Sequence, residues 1–546
     1  MNKYNDFITK LFHDNSNNVY SAIELNGLIC EEFKVTNNYA RQLINRATKD
    51  NIIKSSAPFS FSKGQYYYMH PSKSVNLESL KHICQKYRKP LFRLLTLLEI
   101  NGGVVSLYEA RKITSTPIGN EEKYKTISLK SDLHKLREAE FITITTDKET
   151  REQFIIYNSM EPISSQLISN HMENMKEDTL LTLDILRWLS NHGFVTGRPT
   201  YRRKDNPSLG AILNDFLFDA YSFSKTSGYH NKGKGNAEEK SVIVVLDILL
   251  YRNYSDIDLH SFYDRIQMIR NSTQKTTDQR KVIPIIFYLD IDDETKKQIR
   301  NLNILNFSIE SILGIQVRKI LSNIQSLRRL IQENYNINEK DSLAIIKTIQ
   351  DSLVSIEESG QSDNLLNLKG DMFETLMFTV LSNMFINATV EHSVLIKNPD
   401  EPKKQPYEYD IIIKGRKEII IIELKGLKNS TIINLGTNKE PNTLLWFFGK
   451  TFPIAKKYYE HNSELDKSSI KGCYITSANF SKESIEKLNE INNTKVKPKL
   501  LDTFYDRKKL LKLLKEHPNL EDLRESTGFI KTLEKYYLTE ETKLKR

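Results

Sequence analysis

Cysteine is nearly missing from this chain. Three residues among 546, Cys30, Cys84 and Cys473, lie far apart, which excludes a disulfide framework and a Cys-x-x-Cys zinc site. A reducing compartment is the expectation. Long apolar runs are missing too: nowhere do about 18 consecutive apolar residues occur, and Lys3, Asp6, Lys10 and Asp14 interrupt the first twenty positions. Neither a membrane span nor a secretory leader is therefore expected, and the chain reads as a soluble cytoplasmic protein. Acid is in deficit, with 79 Lys and Arg against 69 Asp and Glu, a net charge of +10 and a pI near 9.0. A phosphate-bearing partner fits that balance. Lys, Asn and Ile are abundant together, a pattern that coding bias produces, so the location of the charge matters more than its total. Residues 1–157 carry 23 Lys and Arg against 17 Asp and Glu, which makes the amino-terminal part the first candidate for nucleic-acid contact.

At this length several domains are expected. Residues 19–69 read as helix, helix and a two-stranded ribbon, the pattern of a winged helix. Thr36 is the expected N-cap of the second helix, and Ala40, Leu43, Ile44 and Ala47 form its apolar face. That leaves Asn38, Tyr39, Arg41, Gln42 and Arg46 for double-stranded DNA, with Lys63 and Gly64 at the turn of the ribbon. A second copy of this order begins near Pro90. Arg88, Lys89, Arg93, Lys130, Lys135 and Arg137 make it basic, although a protein-interaction module would read the same way. The segment LGAILNDFLFDAYSF is predicted to be a helix. The strand SVIVVLDILLY then opens an alternation of strands and helices that implies a sheet covered by helices. The domain boundaries that follow are 1–75 and 76–160 for the two winged helices, 161–317 for a helical connector with a middle α/β domain, 318–364 for a helical linker, and 365–546 for a last α/β domain with a helical tail.

The sharpest chemical signal lies in the last domain. Asp410 starts one apolar strand and Glu423-Leu424-Lys425 ends the next, across the turn KGRK. Side chains alternate along a strand, so Glu423 and Lys425 share a face and Leu424 points away. The hairpin can set Asp410 beside Glu423, and two carboxylates at strand ends make a hard oxygen site suited to Mg²⁺. A carboxylate directly after the buried run IIII also needs a partner, because an unpaired buried charge is costly.

These residues resemble the PD-(D/E)xK, or restriction-endonuclease-like, nuclease superfamily. Asp410 matches the motif's Asp, Glu423 its second acid and Lys425 its Lys, with Tyr409 where Pro would stand. The resemblance covers about residues 365 to 505. It implies an αβββαβ core, Glu374 as a further acid from the preceding helix, and Mg²⁺, with Mn²⁺ as substitute, held by Asp410, Glu423, Glu374 and the backbone of Leu424. Asp371 and Glu374 also fit a capping box at a helix start. Lys428 and Asn429, with Lys450, Lys456 and Lys457, are candidate phosphate contacts.

If the middle domain is a duplicate of this core, Asp247 stands where Glu423 stands, and Leu249 in place of the Lys makes it inactive. The loop from Gly228 to Gly235 imitates a P-loop, but it precedes a strand and has Gly235 where Ser or Thr is needed, so no nucleotide cofactor is expected. The whole reads as a Mg²⁺-dependent endonuclease of the type II restriction or phage-defence kind. Because one site cuts one strand, a homodimer on DNA is expected. The rival is a DNA-binding regulator or assembly factor with an inactive nuclease fold.

Overall fold

The computed structural model describes residues 3–13, 19–57, 59–60, 66–72, 76–119, 128–147, 150, 152–196, 200–203, 210–224, 242–275, 281–333, 338–401, 406–428, 430–441, 443–462 and 469–538. Lys63, Gly64, Asn429 and the loop 228–235 lie outside them. The chain is mixed α/β with several small sheets, and it divides into two units, Met1–Thr182 with Trp188–Ser308, and Leu183–Arg187 with Ile309–Arg546. Among the described residues no helix is long and apolar enough to cross a membrane.

The first unit opens with α1 (Lys3–His13), β1 (Tyr20–Ser21), α2 (Ala22–Phe33), α3 (Asn37–Lys49), β2 (Lys54–Ser55) and β3 (Tyr67–Met69). The strands pair antiparallel in the order β1-β3-β2. Ser21 caps α2 in a reciprocal pair with Glu24, and the Thr36 hydroxyl accepts from the Tyr39 N–H at the head of α3. Both caps satisfy amides that a first helical turn leaves unpaired. Ala40, Leu43, Ile44 and Ala47 are buried in one core with Ile8, Leu25 and Ile29.

After α4 (Leu77–Tyr87) the order repeats. α5 (Lys89–Ile100), β4 (Val104–Ser106), α6 (Leu107–Thr114), α7 (Leu129–Glu138), β5 (Ile142–Thr146) and β6 (Gln153–Tyr157) follow, again with the last strand in the centre, β4-β6-β5. Two of the six residues that make this module basic are internal. Arg88 pairs with buried Asp132, and Arg93, 3% exposed, reaches Asp264 at 2.8 Å.

Two helices, α8 (Ser164–Leu180) and α9 (Thr182–Asn191), precede the middle sheet. Its segments are β7 (Tyr201–Arg202), β8 (Ala211–Leu213), β9 (Phe216–Phe218), β10 (Ala220–Ser224), β11 (Val242–Leu249), α10 (Asp256–Lys275), β12 (Val282–Tyr288), α11 (Asp293–Asn301) and β13 (Leu305–Ser308). The helix expected over LGAILNDFLFDAYSF is instead these short strands, β8 to β10. Asn214 and Asp215 both take positive φ, 48° and 70°, and a two-residue turn of that kind closes a β-hairpin between aromatic-rich arms. β8 and β9 form their own pair. The main sheet runs β13-β12-β11-β10-β7, with β11, β12 and β13 parallel and β10 antiparallel to both of its neighbours.

The second unit contains α12 (Ile309–Leu313), α13 (Val317–Glu333), α14 (Glu339–Glu358), α15 (Leu366–Met384), β14 (Thr389–Ile396), β15 (Tyr407–Lys414), β16 (Ile419–Lys425), β17 (Ile432–Ile433) and α16 (Leu444–Trp446). It continues with α17 (Phe452–Asn462), β18 (Ile470–Thr476), β19 (Asn479–Phe480), α18 (Lys482–Asn492), β20 (Phe504–Tyr505), α19 (Arg507–Glu516), α20 (Glu521–Thr527) and α21 (Phe529–Leu533). Its main sheet is β14-β15-β16-β18-β20. The helices expected to form a linker over 318–364 are packed into this unit. Gln350 Nε2 donates to the Thr527 carbonyl at 3.0 Å and to Thr532 Oγ1 at 2.8 Å, and Asn383 Nδ2 donates to Ser342 Oγ at 2.9 Å.

Candidate active site

β15 and β16 form an antiparallel hairpin in which Lys414 pairs with Ile419 and Ile411 with Ile422. One further step of that register sets Asp410 opposite Glu423. The Leu424 N–H donates to Asp410 Oδ2 at 2.6 Å, so the carboxylate takes the place of a backbone acceptor and is fixed against the neighbouring strand. Lys425 Nζ stands 2.8 Å from Glu423 Oε1 and 3.5 Å from Asp410 Oδ2, and it also donates to the Leu424 carbonyl at 2.8 Å. The Leu424 side chain is fully buried on the other face. Asp410, Glu423 and Lys425 are thus gathered as the alternation of side chains requires. Tyr409 is also fully buried, and its hydroxyl donates to the Thr451 carbonyl at 2.7 Å.

Glu374 comes from α15. That helix begins at Leu366, upstream of Asp371, so the capping-box alternative for Asp371 and Glu374 falls. A glycine at the end of β16 admits the helix. A Cβ added to Gly426 would lie 2.5 Å from Cβ of Phe373, far inside van der Waals contact, so only glycine lets α15 come this close. Gly426→Ala should therefore destabilise the unit by about 1–3 kcal/mol through overpacking and displace Glu374. Thermal unfolding would measure the first effect and divalent-ion affinity the second.

The site carries more acid than base. Burial first, and then the neighbouring Asp410, push the Glu374 carboxyl well above the usual range. Burial likewise drives Glu423 from 4.5 up to about 7, although Lys425 opposes it. Burial works against the charge of Lys425, but Asp410 and Glu423 overcome it and hold the ammonium firmly protonated. Three carboxylates against one ammonium leave a charge of −2 when all are ionised, which a divalent cation matches. Tyr474, paired with Glu423 across β16 and β18, adds a second feature suited to an ion. Its hydroxyl is buried and has no hydrogen-bond partner among the described residues, and water carried by an ion would satisfy it.

Among the described residues no three carboxylate, imidazole or thiolate side chains are grouped closely enough to cage an ion unaided. Asp410 and Glu423 with the Leu424 carbonyl suit Mg²⁺, which keeps several waters and takes only one or two carboxylates. For the Leu424 carbonyl to take part, it would have to exchange the Lys425 ammonium for the ion.

The remaining candidates fall into two groups. Asn38, Tyr39, Arg41, Gln42 and Arg46 are all exposed on α3, opposite its buried stripe. Of the candidate phosphate contacts in the second unit, three have local partners instead: Lys428 pairs with Asp363, Lys457 pairs with Asp400, and Lys450 lies 3.9 Å from the Trp446 ring centroid. Sequence reasoning missed Tyr474 and Gly426. Tyr474 sits inside the apolar strand KGCYITSA, where a tyrosine reads as core, and Gly426 follows the motif with no turn signal around it. Compared with family models, curated proteins and solved structures, the chain matches none.

Proposed function

We propose that the chain is a Mg²⁺-dependent DNA endonuclease whose carboxy-terminal unit cuts and whose amino-terminal modules bind. The observation that carries this reading is the convergence of Asp410, Glu423 and Lys425 on the β15–β16 hairpin. The reading includes two amino-terminal winged helices and a carboxy-terminal PD-(D/E)xK core. Each amino-terminal module has the helix-strand-helix-helix-strand-strand order of a winged helix, and α15 with β14, β15, β16, α17 and β18 follows the αβββαβ order of a PD-(D/E)xK core.

In this scheme Asp410, Glu423 and the Leu424 carbonyl would hold the ion, which would supply Lewis acidity and make a water more acidic. Lys425 serves as a charge and hydrogen-bond donor toward the scissile phosphate rather than as a base, because its two acidic neighbours keep it protonated. Tyr474 donates to water at the site. A single site cuts one strand, so the reading includes a homodimer on double-stranded DNA. A role in restriction or phage defence follows only by analogy with modular enzymes.

Incubation of the full chain with supercoiled plasmid in Mg²⁺ tests the activity. Nicked or linear product that EDTA suppresses is the expected result, and an intact plasmid at stoichiometric protein in both Mg²⁺ and Mn²⁺ would reject it. The elevated Glu423 carboxyl adds a pH dependence. Metal binding must expel its proton, so Mg²⁺ affinity should rise as pH increases through the window ending at about 7 and then level off. Without metal the sign reverses for stability: between 4.5 and about 7 the unfolded chain has already lost this proton while the folded chain retains it, so stability falls as pH rises. Melting curves with and without Mg²⁺ across that window should diverge on the alkaline side.

A further inference from the structure

The middle sheet and the carboxy-terminal sheet share one plan. The orders β7-β10-β11-β12-β13 and β14-β15-β16-β18-β20 each comprise two antiparallel pairings followed by two parallel ones. In each, a helix joins the successive parallel strands, α10 and α11 in the first, α17 and α18 in the second. The likeness reaches individual bonds. Ala220 pairs with Leu246 as Ile411 pairs with Ile422, which gives Asp219 and Asp247 the positions of Asp410 and Glu423. Asp219 Oδ2 accepts the Ile248 N–H at 2.7 Å, just as Asp410 Oδ2 accepts the Leu424 N–H at 2.6 Å. Asp178 on α8 corresponds to Glu374 on α15 as the acid of the helix before the sheet.

The difference lies in the cations. Leu249 occupies the strand position of Lys425, yet a lysine is present: Lys112 of α6 places Nζ 2.6 Å from Asp219 Oδ2 and 3.0 Å from Asp247 Oδ1. Two arginines join it. Arg203 Nη1 lies 3.4 Å from Asp219 Oδ1 and 3.5 Å from Asp178 Oδ2, and Arg265 Nη2 lies 3.2 Å from Asp247 Oδ1. Both arginines are about 1% exposed. Three acids therefore face three cations.

We propose that the middle domain is a metal-free copy of the carboxy-terminal site, in which Lys112, Arg203 and Arg265 replace the divalent ion and turn the site into a socket for α6. The comparison rests on the metal reading of Asp410 and Glu423. A guanidinium cannot shed its proton to make room for a metal, and Asp219 and Asp247 keep the Lys112 ammonium protonated against the effect of its burial, so an incoming ion would meet three positive charges. Burial alone would push Asp247 up, but Lys112 and Arg265 hold it down at about 2, whereas burial raises Asp178, farther from the lysine, to about 7.

The socket grips α6 at several points. The Tyr108 hydroxyl donates to Asp219 Oδ1 at 2.9 Å, and its ring carries the Arg203 guanidinium at 4.3 Å. Glu109 meets His171 at 2.6 Å and the Tyr251 hydroxyl at 2.9 Å. Ser261 Oγ donates to the Lys112 carbonyl at 2.9 Å, and Ser115 Oγ returns a bond to the Ser261 carbonyl at 2.9 Å. Buried ion pairs of this kind contribute little net stability, but breaking one strands a charge, and they are suited to fixing a unique arrangement. Here the arrangement fixed is that of the second helical module on the middle sheet.

Two measurements on the full chain test this. In the first, bound Mn²⁺ is counted by electron paramagnetic resonance in the wild type, Asp219→Asn and Asp410→Asn. The wild-type count should survive Asp219→Asn, and loss of one Mn²⁺ in that variant overturns the inference. If Asp410→Asn also leaves the count unchanged, the metal reading of the carboxy-terminal site fails while the middle cluster still stands as metal-free.

In the second, amide hydrogen exchange is followed across 107–114. Lys112→Met should speed exchange there at least tenfold, and an unchanged rate removes the socket. Should Asp219→Asn fail to fold, the wild type alone remains decisive. Chelation by EDTA should leave exchange in 107–114 and 242–249 unaltered, and faster exchange in those segments on metal removal would overturn the proposal.

Discussion

Asp410→Asn, Glu423→Gln and Lys425→Met should each abolish plasmid cleavage, by roughly a thousandfold or more, the scale on which groups acting directly in the chemistry are missed. DNA binding should change little, since the candidate contact helix α3 belongs to the other unit. The Asn and Gln substitutions are preferred to Ala because the side-chain carbonyl introduced by Asp410→Asn can still accept the Leu424 N–H and keep the hairpin together. Each also removes negative charge from a site that carries two carboxylates in excess of its partners. The metal-free variants should accordingly melt no lower than wild type, and Asp410→Asn should lose the Mg²⁺-induced rise in melting temperature. Wild-type cleavage by Asp410→Asn in Mg²⁺ would falsify the assignment. Lys425→Met separates two roles of the lysine. If it only balanced the acids, metal affinity would rise and turnover would persist; as a donor to phosphate its loss must remove turnover while the ion still binds.

The parts of the fold that the sequence made legible are those governed by local rules. Thr36, a short polar residue just ahead of an apolar stripe at helical spacing, caps α3 as its type and position require. The run IIIIE ends in a buried strand with its carboxylate beside a lysine because strand alternation leaves no other choice. Failures arose where long-range packing overrides local pattern. LGAILNDFLFDAYSF has helix-like spacing, yet the Asn214-Asp215 pair at positive φ turns it into a hairpin.

Arg88 and Arg93 add to the basic count of the second module, but a buried arginine is rare, and nothing local marks their burial, because their partners Asp132 and Asp264 lie 44 and 171 residues away. The middle cluster was the hardest to see. Asp247 and Leu249 were visible as a broken motif, but the lysine that completes it enters from α6, 107 residues before Asp219, and no spacing rule connects them.

The second large effect is expected at α3. Arg41 and Arg46 project from its exposed side, with Asn38, Tyr39 and Gln42 beside them, while Ala40, Leu43, Ile44 and Ala47 hold the helix to its core. If the two arginines neutralise phosphates, each releases condensed counterions on binding, and the slope of log K against log salt should flatten by about 0.9 for each one removed. Arg41→Ala combined with Arg46→Ala should then weaken binding by about tenfold or more at low salt and less at high salt, where the lost counterion release counts for less. Neither side chain touches the buried face, so the variant should fold as the wild type does. Gln42→Ala separates positioning from reading: loss of a base contact would narrow the gap between specific and non-specific DNA by about 1–3 kcal/mol without altering the salt slope. Titrations of the full chain on duplex DNA across a salt series measure both effects. An unchanged slope in the double variant would remove α3 from the interface and transfer recognition to α7, where Lys130, Lys135 and Arg137 remain.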